Sequence, residues 1–225
     1  MCGRYNLIDD PFTQGLLDEL GISLRIQTRY NLAPTEQVPV IRQVEEKNIL
    51  QDMRWWLIPH WAQIPDTRYS MFNAKAETLA TSKAFSGPLK HQRCIIPASS
   101  FIEWRTEEGH KQPYSIQPID GVFAFAGLWD QWGHGRETIL SCTLVTTAAA
   151  PGMEQIHPRQ PVMLPPDLWA RWLDPVIDGH RLMPLLSPSL PCAVQVVPID
   201  PVINNSRHKQ APLLIGPALF QLDAN

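Results

Sequence analysis

Residues 94–147 read CIIPASSFIEWRTEEGHKQPYSIQPIDGVFAFAGLWDQWGHGRETILSCTLVTT, and this stretch decides the fold. It holds five strand signals in succession, at Cys94–Pro97, Phe101–Trp104, Tyr114–Gln117, Val122–Leu128 and Thr138–Thr147. Turn residues such as Glu108-Gly109-His110 and Gly133-His134-Gly135 separate them. Upstream, residues 38–44 and 48–56 read as two more strands around Glu45-Glu46-Lys47. Downstream, a strand is expected around Ala193–Val197, followed by a loop-like stretch at Asn204–Gln210. Helical signals are few. Asp9-Asp10-Pro11 followed by Phe12, Leu16, Leu17 and Leu20 reads as a short amphipathic helix, capped by Asp10, with Pro11 in its first turn and Gly21 at its end. A second helix is expected within residues 73–85, rich in Ala, Glu and Lys, and a third at Pro166–Leu173, with Asp167 near its start. The expectation is an α+β fold, mostly antiparallel sheet with a few peripheral helices.

Composition bounds the rest. At 225 residues the chain reads as one domain with a substantial core, spanning 2–218 with a tail at 219–225. Apolar content of 44% and charged content of 18% are ordinary for a soluble globular protein. The 22 prolines are spread along the chain, so they mark turns and strand ends rather than a linker. No apolar run is long enough to cross a membrane, and the start lacks a basic-then-apolar leader, so the expected compartment is the cytoplasm. The four cysteines, Cys2, Cys94, Cys142 and Cys192, form no CxxC or CxxH pair, so neither a metal nor a cofactor is expected. Cys94, Cys142 and Cys192 read as buried small hydrophobes. A net charge of −3 does not advertise a nucleic-acid binder, but a local basic cleft is compatible with it.

The start, Met1-Cys2-Gly3-Arg4, carries distinctive chemistry. Small residues after the initiator normally permit its removal, which would leave Cys2 with a free α-amine beside its thiol. Their reference pKa values, about 7.7–8.0 and about 8.5, leave both partly nucleophilic at neutral pH. An amine and a thiol on adjacent carbons can capture an aldehyde as an imine and then as a five-membered thiazolidine. An internal cysteine cannot, because its nitrogen is an amide.

Four further polar residues could join Cys2, each with a plain structural alternative: Asn73, Glu103, His157 and Arg4, which lies two residues from the thiol. Asn73 either caps the helix expected after it or serves a site. Glu103, between Ile102 and Trp104, faces away from both; it is either solvent-exposed, the commoner case, or buried with a partner and a raised pKa. His157, before Pro158, reads alone as an ordinary loop histidine.

Read in order, Met1-Cys2-Gly3-Arg4, Tyr30-Asn31-Leu32-Ala33-Pro34, Trp56-Leu57-Ile58-Pro59-His60-Trp61, Asn73-Ala74-Lys75-Ala76-Glu77-Thr78, Arg93-Cys94-Ile95-Ile96-Pro97-Ala98, Phe101-Ile102-Glu103-Trp104, Gln112-Pro113-Tyr114, Phe125-Ala126-Gly127-Leu128-Trp129 and His157-Pro158-Arg159-Gln160-Pro161-Val162 resemble the SOS response-associated peptidase family of abasic-site processing proteins. The resemblance runs from residue 2 to about 215. It implies the family's barrel-like fold and binding of single-stranded DNA that contains an abasic site. It also implies a covalent thiazolidine between Cys2 and the open-chain sugar aldehyde, which shields the lesion. Autoproteolytic exposure of Cys2 and a lyase side reaction through an imine are implied as well. A monomer that acts at damaged nucleoid DNA is expected.

On that resemblance the catalytic set is Cys2, Asn73, Glu103 and His157. His157 would assist opening of the sugar ring, Glu103 would shuttle protons to and from the Cys2 amine, and Asn73 would orient the adduct. Arg4, Lys75 and Arg159 would hold phosphates, and Thr146 would donate a hydrogen bond. Trp61 would stack on or wedge between bases, the alternative being core packing. The chain departs from the family pattern in several places. Lys75 replaces an arginine, making a bidentate clamp a point charge. Trp56 replaces a glycine, Ser100 and Ile102 replace a glycine and an aromatic, and Pro158 and Gln160 alter the loop after His157.

Three rival readings remain. Class II glutamine amidotransferases also begin Met-Cys-Gly, but they use an Asn-Gly element that this sequence lacks. A non-covalent DNA-binding module would need none of Cys2, Asn73, Glu103 and His157. A protease acting on other proteins would need a peptide-bond triad, and none is recognisable.

Overall fold

The computed structural model describes residues 2–225. The first part of the chain forms β1 (Tyr5–Leu7), α1 (Pro11–Glu19), β2 (Arg29–Leu32), β3 (Gln37–Val44) and β4 (Lys47–Trp55). β5 (Asn73–Lys75), a 3₁₀ helix (Ala76–Thr81) and α2 (Ser86–His91) follow. The strand-rich middle comprises β6 (Arg93–Ala98), β7 (Ser100–Glu107), β8 (His110–Pro118), β9 (Phe123–Trp132) and β10 (Ile139–Ala148). β11 (Arg159–Pro161), α3 (Pro166–Leu173), β12 (Val194–Pro198) and β13 (Phe220–Leu222) complete it. Among the described residues, no helix is long and apolar enough to cross a membrane.

These strands make two sheets. One runs β13-β12-β8-β7-β1-β2 and is antiparallel throughout. The other runs β11-β10-β4-β3-β6-β9, and a further β9–β10 pairing closes β10, β4, β3, β6 and β9 into a barrel-like ring. Its only parallel pairings among the described residues are β10 with β4 and β10 with β5. Closure leaves the ring's strands without free edges. It also explains why β6 and much of β10 are buried continuously rather than alternately. Aromatic side chains join the two layers: Phe101 of β7 packs edge-on against Phe123 and Phe125 of β9, and Tyr5 meets Trp55 at 5.3 Å between ring centroids.

Local chemistry sets the boundaries. The Asp10 carboxylate accepts a 2.8 Å hydrogen bond from the Thr13 amide, with Pro11 at the first helical position. Between β7 and β8 a two-residue turn needs left-handed backbone at both positions, Glu108 at φ 47° and Gly109 at φ 82°. The helix expected within 73–85 is a correction. Asn73–Lys75 is a strand aligned in parallel with Leu144–Thr146, and only a 3₁₀ segment follows. Pairing with a central strand outweighs the helix preference of Ala, Lys and Glu, and Asn73 caps no helix. Cys94 and Cys142 are buried, whereas Cys192 is only half-buried and packs against the core's edge.

α2, α3 and the segment after them are fastened by one buried cation. Arg93 donates through Nε to the Trp172 carbonyl (2.8 Å), through Nη1 to Leu89 (2.9 Å) and through Nη2 to Ile177 (2.8 Å) and Asp174. Carbonyls near helix C-termini carry partial negative charge, which offsets the desolvation of the guanidinium. Gly179 lies against this knot, where an added Cβ would stand 1.9 Å from the Leu89 carbonyl oxygen and 2.9 Å from Arg93 Nη1. Gly179→Ala should therefore destabilise the protein by about 2–3 kcal/mol, read as a lower midpoint in urea at unchanged slope. An unaltered midpoint would show that the knot does not constrain this region.

Candidate active site

The site forms where the start of the chain is threaded between the two sheets. β1 pairs with β2 on one edge and β7 on the other. On the β7 side Tyr5 faces Phe101 and Asn6 faces Ser100, and the Ile102 amide donates to the Arg4 carbonyl at 2.9 Å. Continuing that register sets Glu103 across from Gly3, next to Cys2. Glu103 is 3% exposed, so of the two readings open for it the buried one holds.

Cys2 is wholly buried. Its carbonyl accepts a 2.8 Å hydrogen bond from Asn73 Nδ2, which reaches across from β5 of the barrel. Asn73 Oδ1 is buried and has no hydrogen-bond partner among the described residues. The Cys2 thiol lies 3.7 Å from the Arg4 carbonyl oxygen. Burial, with the Glu103 charge adding to it, pushes the thiol well above its ordinary pKa, so it is held as the neutral S–H. Burial likewise pushes the Glu103 carboxyl up to about 7, against the pull of the positive charge at the amino terminus.

Glu103 and His157 line one open groove of about 570 Å³, together with Trp104, Thr106, Lys111 and Asn204. His157 Nδ1 lies 3.1 Å from the Arg159 amide and 3.0 Å from the Arg159 carbonyl oxygen, which orients the ring. Burial lowers its pKa, so the imidazole is neutral at pH 7. A carboxyl that titrates near neutrality and a neutral imidazole on one groove are suited to moving protons at a reacting centre.

The remaining candidates divide by position. Arg159 forms a two-pronged ion pair with Glu77, 3.0 Å at each oxygen, and also donates to the Thr146 carbonyl at 2.7 Å. This contact holds the Glu77 carboxyl below the usual range. Thr146 is buried on β10, with its hydroxyl 3.5 Å from the Ala74 carbonyl oxygen and 3.3 Å from Arg159 Nη2. Lys75, aligned with Thr146, is exposed. Arg4 donates to Asn31 Oδ1 (2.8 Å) and to the carbonyls of Ile203 (2.9 Å) and Asn204 (3.3 Å). Trp61 lies apart from the Glu103 groove, in a second cavity of about 460 Å³ with Arg68, Tyr69 and Lys83. It is 45% exposed with the Lys83 ammonium 4.5 Å from its ring centre, so core packing is excluded for it.

Sequence reasoning passed over Asn31 as a structural hub. Its side-chain Nδ2, with two hydrogens shared among three acceptors, lies 2.9–3.1 Å from the carbonyl oxygens of Ile203, Asn205 and His208, and its backbone adopts φ 52°. The segment it holds carries Asn204, whose Oδ1 accepts the Trp104 indole N–H at 2.6 Å on the groove wall. The available signal was Asn31 itself, an amide suited to left-handed backbone between apolar strand residues. No group of three or more His, Cys, Asp or Glu side chains among the described residues could hold a metal ion.

Comparison with known proteins identifies the family of the chain. The family model described as SOS response associated peptidase (SRAP) matches residues 1–206. The abasic site processing protein YoaM of Bacillus subtilis is 36% identical over 221 residues, covering 95% of this chain and 97% of that one. The abasic site processing protein HMCES of Xenopus tropicalis is 30% identical, covering 89% of this chain and 70% of its own length. In fold, a solved Bordetella bronchiseptica protein superposes with a TM-score of 0.76 at 22% identity, covering 88% of this chain and all (100%) of that one. With a family model matched over nearly its whole length and a relative this similar end to end, the chain belongs to the SOS response associated peptidase (SRAP) family.

Proposed function

We propose that this protein processes abasic sites in single-stranded DNA by bonding to them through Cys2 once Met1 has been removed, by self-cleavage in this reading. The observation that carries the proposal is the setting of Cys2: buried, held through its carbonyl by Asn73, and electrostatically coupled to a carboxyl with a pKa of about 7. The names of its relatives, abasic site processing proteins, agree with it.

The proposed steps balance as aldehyde plus aminothiol giving thiazolidine plus water. The liberated α-amine, deprotonated by Glu103, attacks the sugar C1′. Protonated Glu103 then helps the carbinolamine lose water, leaving an imine. The thiol next adds to the imine carbon, and its proton passes through Glu103 to nitrogen as the ring closes. A thiolate is disfavoured here by burial, so the amine acts first and the thiol second. His157 assists opening of the closed sugar, and Asn73 Oδ1 is an acceptor for the adduct's N–H. If the imine is not trapped by sulfur, loss of a C2′ proton to a base and of the 3′ phosphate as leaving group, a β-elimination, gives the lyase side reaction. Lys75, Arg4, Arg159 and Thr146 serve the DNA backbone, and Trp61 serves a neighbouring base. The protein acts as a cytoplasmic monomer without a cofactor. An abasic nucleotide has no base to unstack, which lowers the cost of entering the site.

Incubated with single-stranded abasic oligonucleotide, the mature protein should give a product that survives denaturation, and duplex abasic DNA should react poorly. Cys2→Ser should yield no stable product but an imine that borohydride traps. A stable adduct from Cys2→Ser, or none from the wild type with Met1 removed, would refute the proposed bond.

Glu103 also leaves a mark on stability. Its carboxyl rises from 4.5 to about 7 on folding, so below pH 4.5 it is protonated in both states and costs nothing. Between pH 4.5 and 7 the unfolded chain releases this proton while the native state retains it, and stability falls. Glu103→Gln lacks this loss. Its stability relative to wild type should grow across that window by up to about 3 kcal/mol and then level off, as read by urea denaturation at several pH values. A constant offset would show that the carboxyl titrates normally.

A further inference from the structure

We infer that Lys111 holds a phosphate of the DNA arm that leaves the Glu103 groove on its β8 side, an inference that rests on the proposed reading of the site. DNA bonded at Cys2 must leave in two directions, because the lesion is internal to a strand. On the barrel side the cations Lys75 and Arg159 lie beside Thr146. On the opposite side, the groove is walled by Trp104, Thr106, Lys111 and Asn204, and among the described lining side chains only Lys111 carries a full positive charge.

Several observations support a contact for Lys111. It pairs with Thr106 across the β7–β8 ladder, while Glu103 pairs with Tyr114. Lys111 thus lies three ladder positions from Glu103, about 10 Å at roughly 3.4 Å per residue; the odd offset puts the two on opposite faces of the ribbon, and both line the one groove. That separation removes it from the bond-forming step and suits the backbone of a flanking nucleotide. Thr106 and Trp104 share its face of the ribbon, adding a hydroxyl and an aromatic surface. The ammonium is exposed and makes no hydrogen bond or ion pair among the described residues. Of the acids near it, Glu107 is bound by Arg105 and Tyr114, and Glu108 lies with Lys111 on a neighbouring hollow.

The test compares wild type with Lys111→Ala, Lys111→Glu and Lys111→Arg on single-stranded abasic oligonucleotides carrying both arms, only the 5′ arm or only the 3′ arm. With both arms present, Lys111→Ala should raise the half-saturating DNA concentration about three- to tenfold and leave the saturating rate in place. Lys111→Glu should raise it further, and Lys111→Arg should restore it. The slope of log affinity against log salt should fall by about 0.7, the value for one single-strand phosphate. Removing one particular arm should erase the difference between wild type and Lys111→Ala. Unchanged affinity and slope in both the Ala and Glu variants would overturn the inference, and so would a loss confined to the saturating rate. If the wild type binds these oligonucleotides but never bonds to them, the crosslinking reading fails instead. The salt slopes of non-covalent binding then still decide Lys111.

Discussion

Pairing of β1 on both its edges is the constraint from which the site follows. The first residues of most chains fray because nothing ties them down. Here Tyr5 and Leu7 are wholly buried and Asn6 nearly so. Asn6 is also doubly tied: its Nδ2 donates to Ser100 Oγ at 2.8 Å, and its Oδ1 accepts from the Asn31 amide at 2.8 Å. The Tyr5–Trp55 contact then fixes β1 against the barrel. With the strand set, Cys2 has no freedom to move into solvent, and the elevated pKa values of its thiol and of Glu103 follow from that burial.

A second level of order depends on the same strand. Arg4 and Asn31 together bind the carbonyls of Ile203, Asn204, Asn205 and His208, so an irregular segment near the end of the sequence is shaped by residues near its beginning. Lys209 adds a 2.8 Å bond to the Asn31 carbonyl. Backbone carbonyls in irregular segments need donors when they are withdrawn from water, and this polar hub supplies them. The consequence for the site is a fixed wall: Asn204 and, through it, Trp104.

Legibility in the sequence tracks how local each determinant is. The strands from Cys94 to Thr147 are readable because apolar and β-branched runs and their turn residues specify strand and turn within a few residues, and the Asp10-Pro11 helix start is as local. The strands at Tyr5–Leu7, Arg29–Leu32, Asn73–Lys75, Arg159–Pro161 and Phe220–Leu222 are too short to show a period. They exist because a longer strand offers them an edge. The burial of Glu103 is likewise invisible locally, since alternation says which face it takes but not what covers that face. Cys2, Glu103 and His157 stand out by chemistry, whereas the hub role of Asn31 depends on carbonyls some 170 positions away in sequence.

Burial also orders the proposed chemistry. A thiolate at Cys2 would be a negative charge in an apolar setting beside a second acid, and both effects favour keeping the proton on sulfur. Sulfur can then act only when something accepts that proton as the C–S bond forms. Glu103, poised near neutrality, meets the requirement in either direction: ionised it takes the proton, and protonated it returns one to the ring nitrogen or the ring sulfur. In the proposed chemistry, the same placement that would let the ring close would also let it open.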